Sequence, residues 1–200
     1  MSKYFHVTEG QIDDGPRDVP TSWKNVSGLD HLDDAALKAK GWLPQEIVGF
    51  TPFDPDTQTR TGPVNVVQVD RVVSTYTVAD KSLAGAKTAK RESLKQAFEA
   101  RGLALVSGYA STERETWPEQ AKAAQAYQAD PGGTHTYLTG LTLDSQTLAD
   151  TATAILAKRD AFLAASAGLV KHRRALDAQI EAAATVAAVR AVDVSAGWPF

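Results

Sequence analysis

The chain contains no cysteine among its 200 residues. That excludes disulfides, thiolate nucleophiles, iron–sulfur ligation and every zinc site built on sulfur. Strong charge of either sign is also missing: 21 Lys and Arg stand against 24 Asp and Glu, a formal net charge of −3. A protein that tracks a phosphate backbone needs a basic surface, so nucleic acid is not an expected partner. Long apolar runs are absent too. The most apolar stretch, residues 161–170, is bounded by Arg159, Asp160, Lys171 and His172 and is about half of the roughly 20 residues that span a bilayer. No run of signal-peptide length follows Met1-Ser2-Lys3-Tyr4-Phe5, so the sequence reads as soluble, with no leader and no membrane insertion.

What is present suffices for a folded core. Hydrophobic residues make up 43% and charged residues 22%, enough apolar surface to offset the entropy of ordering the chain. Composition shifts near residue 79. Six of the nine prolines lie before it, together with most of the alternating valines. After it Ala, Leu, Lys, Arg, Glu and Gln dominate, residues that lose little side-chain freedom in a helix. The expected fold class is therefore α+β: a small β-rich, loop-rich N-terminal part over 1–78, a connecting helix within 79–110, and a helical C-terminal domain over 111–200 with a long helix or helical hairpin.

In the first part, Lys3 to Thr8 reads as a strand, Gly10 to Pro20 as turns, Asp30 to Lys40 as a short helix stopped by Gly41, and Glu46 to Phe50 as a further strand. Val64 to Val78 carries the clearest β pattern, with Val67, Val69, Val73 and Thr75 on one parity and Asp70-Arg71 as the bend. In the second part, Lys81 to Arg101 reads as a helix ending at Gly102. The next is expected to start near Thr116, with Thr116 and Glu119 as a capping box and Pro118 in the first turn, and to run to about Gln128.

From Ser145 to about Ala184 there is no proline, and Leu148, Ile155, Phe162, Leu169 and Leu176 recur every seven residues, with Leu156, Leu163 and Val170 beside them. Such a period predicts a long helix with a continuous seam. At about 1.5 Å per residue it would approach 60 Å, so it either breaks, with Gly168 the weak point, or extends. Arg159, Ser166 and Arg173 interrupt the complementary heptad positions. A bundle helix packing inside its own subunit thus fits at least as well as a coiled coil between chains.

Catalytic patterns are sparse. The histidines, His6, His31, His135 and His172, are each isolated in sequence, and no HExxH, Gly-x-Ser-x-Gly or phosphate-loop pattern occurs in a fitting context. His31 with Asp33 and Asp34 suggests a metal ligand set only faintly; helix capping accounts for such aspartates more simply. Asp54-Pro55-Asp56-Thr57-Gln58 resembles the start of a calcium loop but lacks its central Gly and terminal Glu, and reads as a turn. Glu113 and Glu115 read as capping and solvation, and Lys171-His172-Arg173-Arg174 as a solvated helix face. No catalytic, cofactor-binding or metal-binding residue is nominated, and no enzymatic activity is expected. The four tryptophans, Trp23, Trp42, Trp117 and Trp198, each beside a turn or helix start, are the expected anchors of loops or interfaces, together with the five seam residues.

Three phrases carry a family likeness. Val19-Pro20-Thr21-Ser22-Trp23-Lys24-Asn25-Val26-Ser27-Gly28-Leu29, with Gly41-Trp42-Leu43-Pro44 after it, resembles the N-terminal region of small bacteriophage tail proteins. Ser111-Thr112-Glu113-Arg114-Glu115-Thr116-Trp117-Pro118-Glu119-Gln120, with Asp130-Pro131 beyond, looks like a segment common in the same group. Ile180 to Thr185 and Ala191 to Pro199 are similar to the end of a domain of unknown function in tail-fibre and tail-fibre-assembly proteins. The loop Gly133-Thr134-His135-Thr136-Tyr137 departs from the proline-containing phrase that relatives carry there. The resemblance implies a structural component of the virion tail, fibre- or baseplate-associated, made in the host cytoplasm and bound to other phage tail proteins. The alternative it implies is a tail-fibre assembly chaperone absent from the mature virion. Threefold tail-fibre symmetry together with the seam implies a homotrimer or a heteromeric contact. No catalytic residue comes with the family.

Overall fold

A computed structural model describes residues 2–199. The chain forms two compact units, residues 1–82 and 83–200, the first β-rich and the second mainly helical.

In the first unit, strands β1 (Tyr4–Thr8), β2 (Gln11–Arg17), β5 (Trp42–Val48), β6 (Gln58–Val67) and β7 (Val72–Asp80) make one sheet in the order β2-β1-β5-β7-β6. All pairs are antiparallel except β5 with β7. A two-stranded ribbon, β3 (Ser22–Trp23) and β4 (Val26–Ser27), a 3-10 turn at Leu29–His31 and helix α1 (Asp34–Ala39) lie between β2 and β5. Asp33 caps α1 by accepting from Ala36 N at 2.8 Å.

The segment read as turns, Gly10 to Pro20, is instead mostly the edge strand β2. Proline can sit there because an edge strand has one side whose N–H groups need no ladder partner. Both edges use the same device. Gly15-Pro16 in β2 and Gly62-Pro63 in β6 fall at breaks of register. A side chain on Gly15 would stand 2.5 Å from Tyr4 O, and one on Gly62 2.7 Å from Thr75 O, both glycines having φ near +110°. Only glycine lets the outer strand come that close.

Side chains alternate across the sheet, and each face has its own core. Phe5, Leu43 and Val72 pack on one side with Val7, Ile12 and Val67. Leu29, Leu37 and Trp42 pack on the other with Tyr4, Val19, Trp23 and Leu32. The expected parity of Val67, Val69, Val73 and Thr75 is not kept. β6 ends at Val67, the turn before β7 resets the alternation, and Val69 projects from that turn 86% exposed.

The second unit is built on α5 (Leu148–Ala182), 35 residues without a break at Gly168 and about 50 Å long at roughly 1.5 Å per residue. Thr147 and Asp150 close a capping box at its start. Its N-terminal half packs on α3 (Ser111–Ala129) and α4 (Thr136–Leu141) through Ala124, Leu138, Ala152 and Leu156. Its C-terminal half packs on α2 (Leu83–Val106) and the segment around α6 (Val186–Ala191) through Leu94, Leu176, Ile180 and Val192. Arg91 ties α2 to α5, with Nε 2.8 Å from Asp177 Oδ1 and a second ion pair to Glu181.

The helical unit departs from the sequence expectations in its element bounds and caps. Within the segment 79–110 the helix is α2, which belongs to the second unit and packs on α5 and α6; it continues through Gly102 to Val106. α3 begins at Ser111, five residues before Thr116, so Pro118 is interior. The capping box at Thr116 is not used, since its hydroxyl donates to Glu113 O at 2.7 Å and accepts from Gln120 Nε2 at 2.9 Å. Among the described residues no helix is long and apolar enough to cross a membrane.

Candidate interaction surfaces

In the first unit Trp42 is fully buried and Trp23 half-buried. Their rings meet edge to face at 5.5 Å, and His6 stands 5.3 Å from Trp23 and 5.2 Å from Trp42. The Arg17 guanidinium lies 4.9 Å from the centre of the Trp23 ring and 2.6 Å from Asp14 Oδ2. His6 Nδ1 donates to Asp13 Oδ2 at 3.0 Å, and the Thr8 hydroxyl donates to the same oxygen at 2.5 Å. Those bonds, the Thr8 hydroxyl foremost, hold the Asp13 carboxyl below its ordinary range. Neither tryptophan therefore stands as a free anchor: both fasten the loop around β3 and β4 onto the sheet.

The tryptophans of the second unit are also spent on the chain itself. Trp117 packs edge-on against Tyr109 and Phe162. Trp198 donates from Nε1 to Val194 O at 3.0 Å and meets His172 at 4.7 Å. Of the seam residues, Leu169 and Leu176 are buried, and Leu148, Ile155 and Phe162 are half-buried against neighbouring helices. The seam is filled from within the subunit. Two of the five seam residues are thus fully covered inside the subunit and three are partly covered. The basic run of α5 is divided by the helical turn: His172 packs on Trp198 and Arg173 lies over Phe98 at 5.2 Å, while Lys171 and Arg174 point outward.

The sparse catalytic candidates have plain structural surroundings. His31 is 84% exposed and 3.7 Å from Asp30. Asp33 caps α1, and Asp34 accepts from the Tyr4 hydroxyl at 2.7 Å, a bond that raises the Tyr4 pKa. Asp54 accepts from Asp56 N and the Thr57 hydroxyl, which makes the turn before β6. Glu113 and Glu115 are exposed on the first turns of α3. Among the described residues no three His, Asp or Glu side chains gather as a metal ligand set.

One open apolar surface among the described residues belongs to the sheet. Register places Val48, Thr75 and Val64 in one row across β5, β7 and β6, and Glu46, Val73 and Val66 in the next. Rows so aligned share a face. It is the face that carries Trp42 and Pro44, which α1 covers at its other end. Beyond α1, Val48, Val64 and Val66 are 43%, 66% and 53% exposed. Arg71 marks the boundary, donating from Nη1 to Glu46 at 3.0 Å and from Nη2 to Asp70 at 2.7 Å; these bonds lower the Asp70 pKa and raise that of Arg71. Sequence reasoning saw the valines but not their exposure. The β pattern from Val64 onward is visible in the sequence, whereas the face each valine takes and the extent of α1 over the neighbouring strand are not.

No protein-family model, curated protein or solved structure matches the chain.

Proposed function

We propose that the chain is a non-enzymatic structural component of a tailed-phage tail, a fibre- or baseplate-associated subunit that attaches to other tail proteins. The observation that carries the attachment role is the open valine face of the first unit. A contiguous apolar face spanning three strands costs free energy in water and gains it when another protein covers it. The tail setting rests on the phrases around Trp23, Trp42, Trp117 and Trp198. The subunit is made in the host cytoplasm and ends in the virion, where it works without a cofactor.

Mass spectrometry of purified particles tests this reading. A stoichiometric amount of the chain is expected in the mature tail; its absence from particles that need it to form would identify an assembly chaperone instead. A Val66→Lys variant is expected to keep its melting temperature and lose incorporation. Normal incorporation of that variant would remove the sheet face from the argument.

A further inference from the structure

α5 carries a second stripe, about 120° round the helix from its seam, which continues the face on which Ala152 and Leu156 pack against α3 and α4. Leu163 and Val170, one heptad apart, are 54% and 44% exposed, and Ala167 lies between them. Asp160 stands seven residues before Ala167 and Arg174 seven residues after it. At roughly 100° per residue, these five positions fall within an arc of about 80°. Beyond Phe162, on which Trp117 of α3 packs, Leu163, Ala167 and Val170 are exposed. Lys171 and Arg174 make no ion pair among the described residues, and the Asp160 carboxylate is held only by its chain neighbour Arg159, at 2.7 Å, with 63% of its side chain exposed.

The stripe is complementary to itself in one orientation. If two copies of α5 cross antiparallel at Ala167, Asp160 of each faces Arg174 of the other. Leu163 of each then meets Val170 of the other, since both lie on the same side of the crossing at nearly the same height. The small Ala167 at the crossing permits the close approach of packed helices, about 8–10 Å between axes. A parallel arrangement, including any parallel threefold bundle, would set Asp160 beside Asp160 and Arg174 beside Arg174. We propose that this outer stripe of α5 joins two copies of the chain in an antiparallel, twofold-symmetric dimer. The pairing does not depend on the tail-attachment reading, which uses the other unit.

Sedimentation equilibrium of the full chain tests it. A concentration-dependent monomer–dimer equilibrium is expected, and Val66→Lys should leave it unchanged. Arg174→Asp and Asp160→Arg should each weaken the dimer about tenfold by placing like charges opposite each other. The double variant D160R/R174D, which restores opposite charges in exchanged positions, should recover it. Circular dichroism should show the same helix content throughout, because both sites are exposed. A wild-type chain that stays monomeric to about millimolar concentration, a trimer, or a double variant as weak as the singles would overturn the proposal.

Discussion

Trp117 of α3 meets Phe162 of α5 edge-on, with 5.5 Å between ring centres. A seam position of the long helix is thereby closed by a tryptophan of the same chain. Phe162 sits between the two core clusters of the helical unit, one over Leu156 and the other over Leu176. The pair therefore supports the middle of α5, where aromatic edge-to-face packing adds about 0.5–1.5 kcal/mol beyond burial.

The tryptophans should differ in the cost of their removal. Trp42 is fully buried, so Trp42→Ala should destabilise the first unit by about 3–5 kcal/mol. The half-buried Trp198 should cost less. Urea unfolding followed by tryptophan fluorescence measures both, and equal losses would contradict the packing described.

Leu169 is 2% exposed and faces inward. Leu169→Ala should lower subunit stability by about 2–5 kcal/mol. Leu169→Asp, which buries a charge without a partner, should unfold the helical unit and not merely dissociate an oligomer. A folded, monomeric Leu169→Asp chain in sedimentation and circular dichroism would show that this seam is intermolecular after all.

At the start of α5, the Thr147 hydroxyl accepts from Asp150 N at 3.1 Å. Thr147→Ala should cost about 1 kcal/mol, read as a lower midpoint in thermal unfolding at 222 nm. Gly168→Ala should act in the opposite sense. A methyl there would meet Pro199 at an ordinary 3.4 Å, and replacing glycine within a helix gains about 0.5–1 kcal/mol.

Acid should weaken the first unit partly through Asp13. Its folded pKa lies below the ordinary value because the Thr8 hydroxyl, then His6, bond the ionised form. The stabilisation is therefore complete above the ordinary carboxylate pKa, about 4, and is lost as pH falls through the lower folded value. The stability gap between wild type and Asp13→Asn should accordingly be widest near neutral pH and narrow toward pH 2. Urea midpoints at several pH values check this; a constant gap would mean the carboxylate charge contributes nothing.

Local regularities were legible in the chain. The change near residue 79 marks two kinds of structure because helix and strand preferences are carried residue by residue. The seven-residue recurrence from Leu148 to Leu176 announces a long helix because that spacing returns side chains to one side of it. The hairpin of β6 and β7 is visible for the same reason: both strands and their turn are adjacent in sequence.

The partner of each face was decided by tertiary structure alone. The seam of α5 meets residues as far away in the chain as Leu94 and Val192, and nothing in a seven-residue period says whether such residues or another chain will cover it. β5 pairs in parallel with β7, although β6 comes between them in sequence, so the exposure of Val48 depends on where α1 stops and not on the alternation of its own strand. Gly15-Pro16 reads as a turn until the sheet places it on an outer edge, where a missing N–H is tolerated. Periodicity is a property of neighbours along the chain, whereas burial is a property of neighbours in space.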